Sequence, residues 1–241
     1  MGWRTRLAEL VERLALQRQP VAVRYVASPP PAPRGGAPEP CEALLRASQG
    51  ETVILASDGA CALGSHYLGL DRLSPEQGRR AFEDFVFDQR RSACFIEEVP
   101  GADSTTVPPP ARQGSLVILS PVRDLEDPPD VLLFICGFEQ ACQLIALDVP
   151  ETGAPARMEM RGPTCHRAIG YPLVTGRLNV SLMSHVGRRL HGFRADDVLV
   201  SVPGARLLRM LDRATRGEGP GLQIPAALRS MLQERCRGSQ N

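Results

Sequence analysis

No complete catalytic signature occurs in this 241-residue sequence, and features of several protein classes are also missing from it. No window of 18 apolar residues exists, so the sequence predicts no membrane-spanning helix. Neither sign of charge dominates, because the chain has 28 basic and 27 acidic side chains and a net charge of +1. This balance argues against a nucleic-acid-binding protein, which needs a positive field to hold phosphate groups. We therefore expect neither a membrane nor a nucleic acid among the partners.

The start of the chain predicts an amphipathic helix and no targeting signal. Apolar residues recur at helical spacing, and charged residues interrupt them at Arg4, Arg6, Glu9, Glu12 and Arg13. A signal peptide needs an uninterrupted apolar core, which this stretch lacks. Arg6 also stands where a myristoylation signal requires Ser or Thr. We therefore expect a cytoplasmic protein.

No CxxC pair occurs among the seven cysteines, so their spacing matches no familiar metal or redox motif. In a cytoplasmic protein most of them should be reduced thiols. Three lie in apolar sequence and are predicted to be small core residues: Cys94, Cys136 and Cys142. Cys236 lies in a polar tail, where a functional role is not indicated. The remaining three each accompany a turn that contains glycine: Cys41, Cys61 and Cys165.

Helical and strand patterns do not alternate in the strict order of a doubly wound protein. About seven strands and a similar number of helices are predicted, and two strong strands follow one another at 116–119 and 131–135. We therefore predict a mixed α/β fold of α and β layers, in a single compact domain with a mixed sheet. This domain should span residues 1–213, and residues 214–241 should form a flexible joint and a C-terminal tail helix.

The stretch from Cys41 to Leu70 combines two cysteines with a short helix, a turn and one strand. The strand, 52–56, is a continuous apolar run, which is typical of a strand that is covered on both faces. Cys61 follows just beyond it, where binding and catalytic groups often collect. Cys61 should also lie near the start of a helix, whose dipole and amide groups favour a thiolate.

A weaker echo of this stretch begins at Cys165. It again has a short helix, a glycine at Gly176, an apolar strand and a turn, which here holds Ser184, His185 and Gly187. The loop lengths of the two stretches differ by a few residues. An internal pseudo-repeat and a chance similarity of two helix–turn–strand units therefore explain the pattern equally well.

Several short motifs, spread over most of the chain, together resemble one protein family. They are Pro20-Val21-Ala22-Val23, Cys41 with Ala47 and Gly50, Cys61-Ala62-Leu63-Gly64, Pro129-Asp130-Val131, Glu139-Gln140, Pro172-Leu173 with Thr175-Gly176, and Asp197 with Val202-Pro203-Gly204. From about residue 7 to residue 213 the chain is similar to the Domain of Unknown Function 169 family. The resemblance implies a prokaryotic protein with recurring cysteines, which here match Cys41, Cys61 and Cys165.

The recurring cysteines favour a metal ion or an iron–sulfur cluster, because soft thiolates suit such centres and three ligands leave a position for a substrate. In many relatives a further cysteine follows the strand that matches 180–182, whereas this chain has Ser184 there, followed by His185. Three arrangements remain: three thiolates with His185, three thiolates with an open position, or no metal. The predicted protein is a redox enzyme or a metal-handling accessory of prokaryotic metabolism, with a list of candidate metal ligands that comprises Cys41, Cys61, Cys165 and His185.

The same residues allow two further interpretations of the cysteines. Cys61 is an alternative catalytic or redox thiol, with His66 or His185 adjusting its charge. The three cysteines are also compatible with buried structural residues that take part in no chemistry.

Two other function classes remain open. One is a module that binds a small anionic ligand without a cofactor, through backbone amides near Gly64 and Gly187 and through the Arg189 guanidinium. The other is an assembly partner that binds another protein through the tail helix. The histidines His166 and His191 are predicted to lie on the surface.

Overall fold

The computed structural model describes residues 2–27, 38–57, 61–74, 76–78, 80–81, 108–112, 115–152, 158–159, 163–183 and 185–218. At residues 149–152, 185, 186 and 189 this description covers the backbone alone. Several predictions fall outside the described residues, namely those for Cys94, Ser184 and Cys236 and for the tail helix.

Helices and strands are distributed along the whole described chain. The helices are α1 (Trp3–Arg13), α2 (Pro40–Ser48), α3 (Ala62–Tyr67), α4 (Phe138–Thr152), α5 (Tyr171–Thr175), α6 (His185–Leu190) and α7 (Gly204–Thr215). The strands are β1 (Val21–Val26), β2 (Val53–Leu55), β3 (Leu116–Pro121), β4 (Val131–Cys136), β5 (Asn179–Leu182) and β6 (Val198–Pro203). A π-helical turn, His166–Gly170, leads directly into α5 and is called the π segment below. These elements confirm the predicted mixed α/β fold in a single domain.

The six strands form one sheet in the order β2-β3-β1-β4-β6-β5. Every described pairing is antiparallel, so the prediction of a mixed sheet is wrong in this detail. A parallel pair needs a long crossover between neighbouring strands. Here β3 and β4, which are consecutive in sequence and parallel in direction, are kept apart by β1 between them.

Helices cover both faces of the sheet and create two apolar cores. On one face α1, α4 and α7 pack together, with fully buried leucines such as Leu10, Leu144 and Leu211 against Phe134. The other face is covered by α2, the residues after α3 and the π segment, and this core includes Leu44, Leu68 and Ile169. Burying one such side chain completely contributes about 1.5–3 kcal/mol. The half-buried Cys41 and Cys165 both pack against the second core.

Three local predictions are wrong for reasons of tertiary packing. The apolar run at 52–56 forms only the three-residue edge strand β2, in which Ile54 is half-buried. The turn predicted at 184–189 is instead helical from residue 185 onward, where the short helix α6 begins. Cys142 lies on the exposed side of α4, whereas Cys136 is buried as predicted. None of the described helices is long and apolar enough to cross a membrane.

The sheet divides into two halves with the same topology. Counted outward from the centre of the sheet, the strands of the first half lie in the order β1-β3-β2. The strands of the second half lie in the equivalent order β4-β6-β5. The central pair is antiparallel, with Val21 opposite Leu133 and Val23 opposite Val131, as a two-fold axis between β1 and β4 requires. Pro121 and Pro203 are then equivalent, because each lies opposite the first residue of its central strand. The topology therefore favours the pseudo-repeat over chance similarity.

The glycines of the two halves obey the same symmetry. Gly50 and Gly176 each end a helix and each lie three residues before an edge strand, β2 or β5. Both adopt a positive φ, of 105° and 61° respectively, which a glycine accepts without the steric cost of a Cβ atom. Cys61 directly precedes α3 in the sequence of the first half. Ser184 directly precedes α6 in the sequence of the second half.

Candidate thiol site

Cys61 occupies the N-cap position of α3, as the sequence predicts. Its Sγ accepts a hydrogen bond from the backbone N–H of Gly64 at 3.2 Å. A Cβ atom on Gly64 would lie 2.7 Å from the Pro40 Cγ and 3.2 Å from the Cys61 Sγ. Gly64 therefore allows the first turn of α3 to approach the start of α2, the helix that carries Cys41.

Cys165 lies immediately before the π segment, on the same face of the sheet. Its thiol interacts electrostatically with Cys61 and with Cys41. The π segment itself contacts α3 closely, because a Cβ atom on Gly170 would lie 2.7 Å from the carbonyl oxygen of Tyr67. The fold thus brings together three cysteines that are 20 and 104 residues apart in sequence.

The three thiols do not stand in a coordinating arrangement. Within the described part of the chain, no three His, Cys, Asp or Glu side chains are placed so that they could hold a metal ion. No disulfide joins the described cysteines. A metal ion would therefore have to draw the thiols inward.

Burial determines the charge of the thiols. It raises the pKa of Cys61 above its ordinary value, and the N–H groups of Gly64 and Leu63 offset only part of this increase. Burial also raises the pKa of Cys165, and the neighbouring Cys61 and Cys41 raise it further, because adjacent thiolates repel one another. The prediction of a thiolate stabilised by a helix start is therefore wrong for this structure, in which the neutral thiol is favoured.

A basic side chain, that of Arg167, lies beside the thiols. The sequence patterns did not identify it as a site residue. Its Nη2 donates to the Leu182 carbonyl at 3.0 Å and to the Thr164 Oγ1 at 3.3 Å. Burial lowers the pKa of Arg167, and interactions with Cys165 and then Cys41 act in the opposite direction. No motif surrounds this arginine, so only its position two residues after Cys165 could have suggested a role.

Buried polar groups from β5 and the adjoining chain support the π segment. The fully buried Asn179 accepts a hydrogen bond from the Glu159 N–H at 2.8 Å and donates to the Glu159 carbonyl at 3.1 Å. Its Nδ2 also donates to the Arg167 carbonyl at 2.8 Å. Asn179 therefore fixes the backbone that carries Arg167 and Cys165.

His166 is completely buried, so the prediction that it lies on the surface is wrong. Neither ring nitrogen has a hydrogen-bond partner among the described residues, and the ring contacts Tyr67 at a centroid distance of 5.2 Å. Burial lowers the pKa of His166 to about 4. The ring also lies close to Gly170, since a Cβ atom there would approach the His166 Nδ1 to 3.1 Å.

Two further side chains border the site. The Tyr25 hydroxyl donates to the Leu68 carbonyl at 2.9 Å, and Tyr25 interacts electrostatically with Cys165. Glu39, which acts on Cys61, has its Oε2 3.4 Å from the Nε2 of His191. His191 is half-buried by this contact, whereas the sequence predicted an exposed ring. Long-range contacts of this kind leave no signal in the sequence.

The other predicted site residues are two glycines, two residues of α6 and His66. Gly187 is buried within α6, and the N–H of Gly64 donates to the Cys61 Sγ. The anion site at amides near these glycines stays a prediction. His185 and Arg189 belong to α6, but their side chains lie outside the described residues. His66 accepts a hydrogen bond from the Leu73 N–H through Nδ1, and burial lowers its pKa.

These observations define an α/β protein with a six-stranded antiparallel sheet and three half-buried cysteines on one of its faces. The family model of uncharacterised ArCR proteins, Domain of Unknown Function 169, matches residues 9–213. The chain belongs to this family, as the resemblance of its motifs predicted. Neither the curated proteins nor the solved structures contain a match to the chain.

Proposed function

We propose that Cys41, Cys61 and Cys165 bind a soft transition metal ion or an iron–sulfur cluster. The convergence of the three thiols from α2, the start of α3 and the π segment supports this proposal most directly. Thiolates are the ligands that such centres prefer, and three of them leave a position for an external ligand. His185 remains a candidate fourth ligand because α6 begins with it.

The protonation of the site is consistent with a cation as its ligand. Burial raises the pKa of Cys61, and burial together with the neighbouring Cys61 and Cys41 raises the pKa of Cys165, so both thiols favour their neutral form. A bound cation reverses this preference, because it stabilises thiolates and releases their protons. When bound, such a centre supplies either electron transfer or Lewis acidity, while the protein supplies the three ligands and a site partly shielded from water.

The biological role that fits best is a redox enzyme or a metal-handling accessory of prokaryotic metabolism. We place this protein in the cytoplasm, where cysteines are mostly reduced thiols that can serve as metal ligands. Cys61 is the candidate catalytic thiol if the centre acts on a substrate, since it lies at the edge of the site beside Glu39.

The test is purification without oxygen, followed by elemental analysis and a visible spectrum of the wild-type protein and of Cys61→Ala. We expect about one metal centre per chain in the wild type and at least a tenfold lower content in the variant, since a chelate with a missing ligand binds far more weakly. Cys142→Ala is the matched control, because Cys142 is exposed on α4, which covers the opposite face of the sheet. Wild-type metal content in Cys61→Ala, or no metal in the wild type after reconstitution, would contradict the proposal.

A further inference from the structure

We propose that the C-terminal tail helix predicted by the sequence docks on α4 of the same chain, over the side of α4 that carries Phe138 and Ile145. This side is called the α4 stripe below. The proposal is independent of any metal at the thiols, because α4 covers the opposite face of the sheet. It gives the tail an intramolecular role in place of the predicted binding of another protein.

The α4 stripe is only partly covered by the described part of the chain. Phe138, in the first turn of α4, is 69% exposed, although an aromatic ring gains more than most side chains from burial. Ile145 lies seven residues later, two turns along the same side of the helix, and is only half-buried. An amphipathic helix laid along α4 would cover both side chains at once.

The end of α7 lies close to the Phe138 end of α4. Helices α4 and α7 follow the antiparallel strands β4 and β6, so they also run in opposite directions. Near the start of α7, the Arg206 Nη1 donates to both carboxylate oxygens of Asp148 on α4, at 2.7 and 2.8 Å. Thr215 ends α7 nine residues after this contact, which brings it level with Glu139, nine residues before the contact on α4. The chain therefore leaves α7 beside the α4 stripe.

The last described residue lies on the side of α7 that faces α4. The Glu218 N–H donates to the Arg213 carbonyl at 3.0 Å, and the Glu218 carboxylate pairs with the Arg213 guanidinium at 3.3 Å. Arg213 follows Arg206 by seven residues, so it lies on the same side of α7 as the contact with Asp148. Its Nη1 is buried and has no hydrogen-bond partner among the described residues. The chain beyond Glu218 thus begins next to α4, where a buried donor still needs an acceptor.

The tail sequence fits this place in length and in pattern. Residues 219–224 span at most about 20 Å, and Pro225 suits the first turn of a helix. A helix over 225–236 is about 18 Å long, whereas Phe138 and Ile145 are about 10 Å apart along α4. Run back along α4, it forms a helix hairpin with α7 and places an apolar side on the α4 stripe. That side consists of residues at helical spacing, namely Leu228, Met231 and Leu232.

The test is amide hydrogen exchange, measured by mass spectrometry on the full chain of the wild type, Phe138→Asp and Leu190→Asp. A helix of about 12 residues is marginal in water, so the tail amides are protected only if the helix docks. Leu190 is the matched control, because it is an apolar residue of similar exposure, 72%, at the end of α6. The residues that flank α6, Met183 and Phe193, pack into the core on the other face of the sheet.

We expect the amides at 226–236 to exchange at least tenfold faster in Phe138→Asp than in the wild type, and at the wild-type rate in Leu190→Asp. Leu228→Asp should release the tail in the same way, whereas Ser230→Asp, on the opposite side of the predicted tail helix, should not. Sedimentation should show the same oligomeric state in the wild type and in Phe138→Asp.

Rapid exchange of the tail in the wild type, or protection that survives Phe138→Asp, would overturn the proposal. A wild-type dimer that Phe138→Asp dissociates would overturn it as well, because a second copy of the chain would then occupy the α4 stripe.

Discussion

The two halves of the sheet share their topology but differ in the polarity of equivalent positions. Register across the sheet makes three pairs of residues on the site-facing side equivalent: Val53 and Asn179, Leu55 and Ser181, and Leu119 and Ser201. In the first half all three residues are apolar, and in the second half all three are polar and fully buried. The same strand arrangement therefore carries an apolar surface in the first half and a buried polar surface in the second half.

This difference shows how the site acquires its chemistry. The first half provides two of the three thiols, Cys41 and Cys61, above an apolar surface that holds α2 in place. The second half provides Cys165 and the buried Asn179, whose amide holds the backbone of Arg167 and Glu159. Charge and hydrogen bonding at the site thus come mainly from one half of a symmetric frame.

The largest expected effect on stability comes from replacing Asn179 of the second half by valine, the residue at the equivalent position 53 of the first half. Asn179→Val should lower the free energy of unfolding by about 3–5 kcal/mol, because three buried backbone groups lose their side-chain partner. Ser181→Ala is the control, since the Ser181 hydroxyl has no hydrogen-bond partner among the described residues. It should change the free energy of unfolding by less than about 1 kcal/mol. Denaturant titration measures both, and equal losses would show that Asn179 does not hold the π segment.

The buried His166 should make the protein sensitive to acid. Its pKa is about 4 in the folded protein and about 6.5 when unfolded, so only the unfolded chain gains a proton as the pH falls below about 6.5. Stability from this residue is complete above pH 6.5 and is lost progressively toward pH 4, by about 3 kcal/mol. Unfolding of metal-free protein as a function of pH measures this loss. His166→Leu should flatten the profile over this range, and a profile as steep as that of the wild type would disprove the assignment.

The equivalent glycines should differ in their tolerance of a side chain. Gly50→Ala should cost about 2 kcal/mol, because φ is 105° and the Arg123 guanidinium lies 3.4 Å from the new Cβ atom. Gly176→Ala should cost about 1 kcal/mol, because φ is 61° and no atom lies within 4 Å. Thermal unfolding of the two variants gives the comparison. A larger cost at Gly176 than at Gly50 would be inconsistent with these backbone conformations.

The smallest effect concerns the reactivity of the cysteines in metal-free protein. Iodoacetamide should label the exposed Cys142 first, then Cys61 and finally Cys165, because only the thiolate reacts and burial raises the pKa of the last two. Peptide mass spectrometry at several times of reaction gives the order. Labelling of Cys165 before Cys142 would show that the site is more open than the structure indicates.

Much of the architecture could be predicted because it depends on local patterns. The apolar runs of β3 and β4 and the amphipathic helix α1 all lie where the sequence places them. The three cysteines were also recognised as one group, through the resemblance of their surroundings to a family. The division at residue 213 stays a prediction, since α7 extends to Thr215 and residues 219–241 lie outside the described part of the chain.

The errors concern features that depend on neighbours distant in sequence. An apolar run such as 52–56 indicates burial but does not say whether the strand lies at the centre or the edge of a sheet. His166 has no local feature that distinguishes it from a surface histidine, and only the completed fold buries its ring. Nothing in the sequence distinguishes Arg167 from the other arginines of the chain. Its contacts with Leu182 and the thiols form only in the completed sheet.

The sequence alone determined the classes of element, the thiol residues and the family, because periodicity, glycine positions and motifs are properties of short stretches. Only the tertiary structure decided the antiparallel order of the strands and the two-fold relation of the halves. It also decided the charge of the thiols and the position of Arg167 beside them. Burial and long-range electrostatics act between residues that come together only after the chain has folded, so local sequence does not encode their balance.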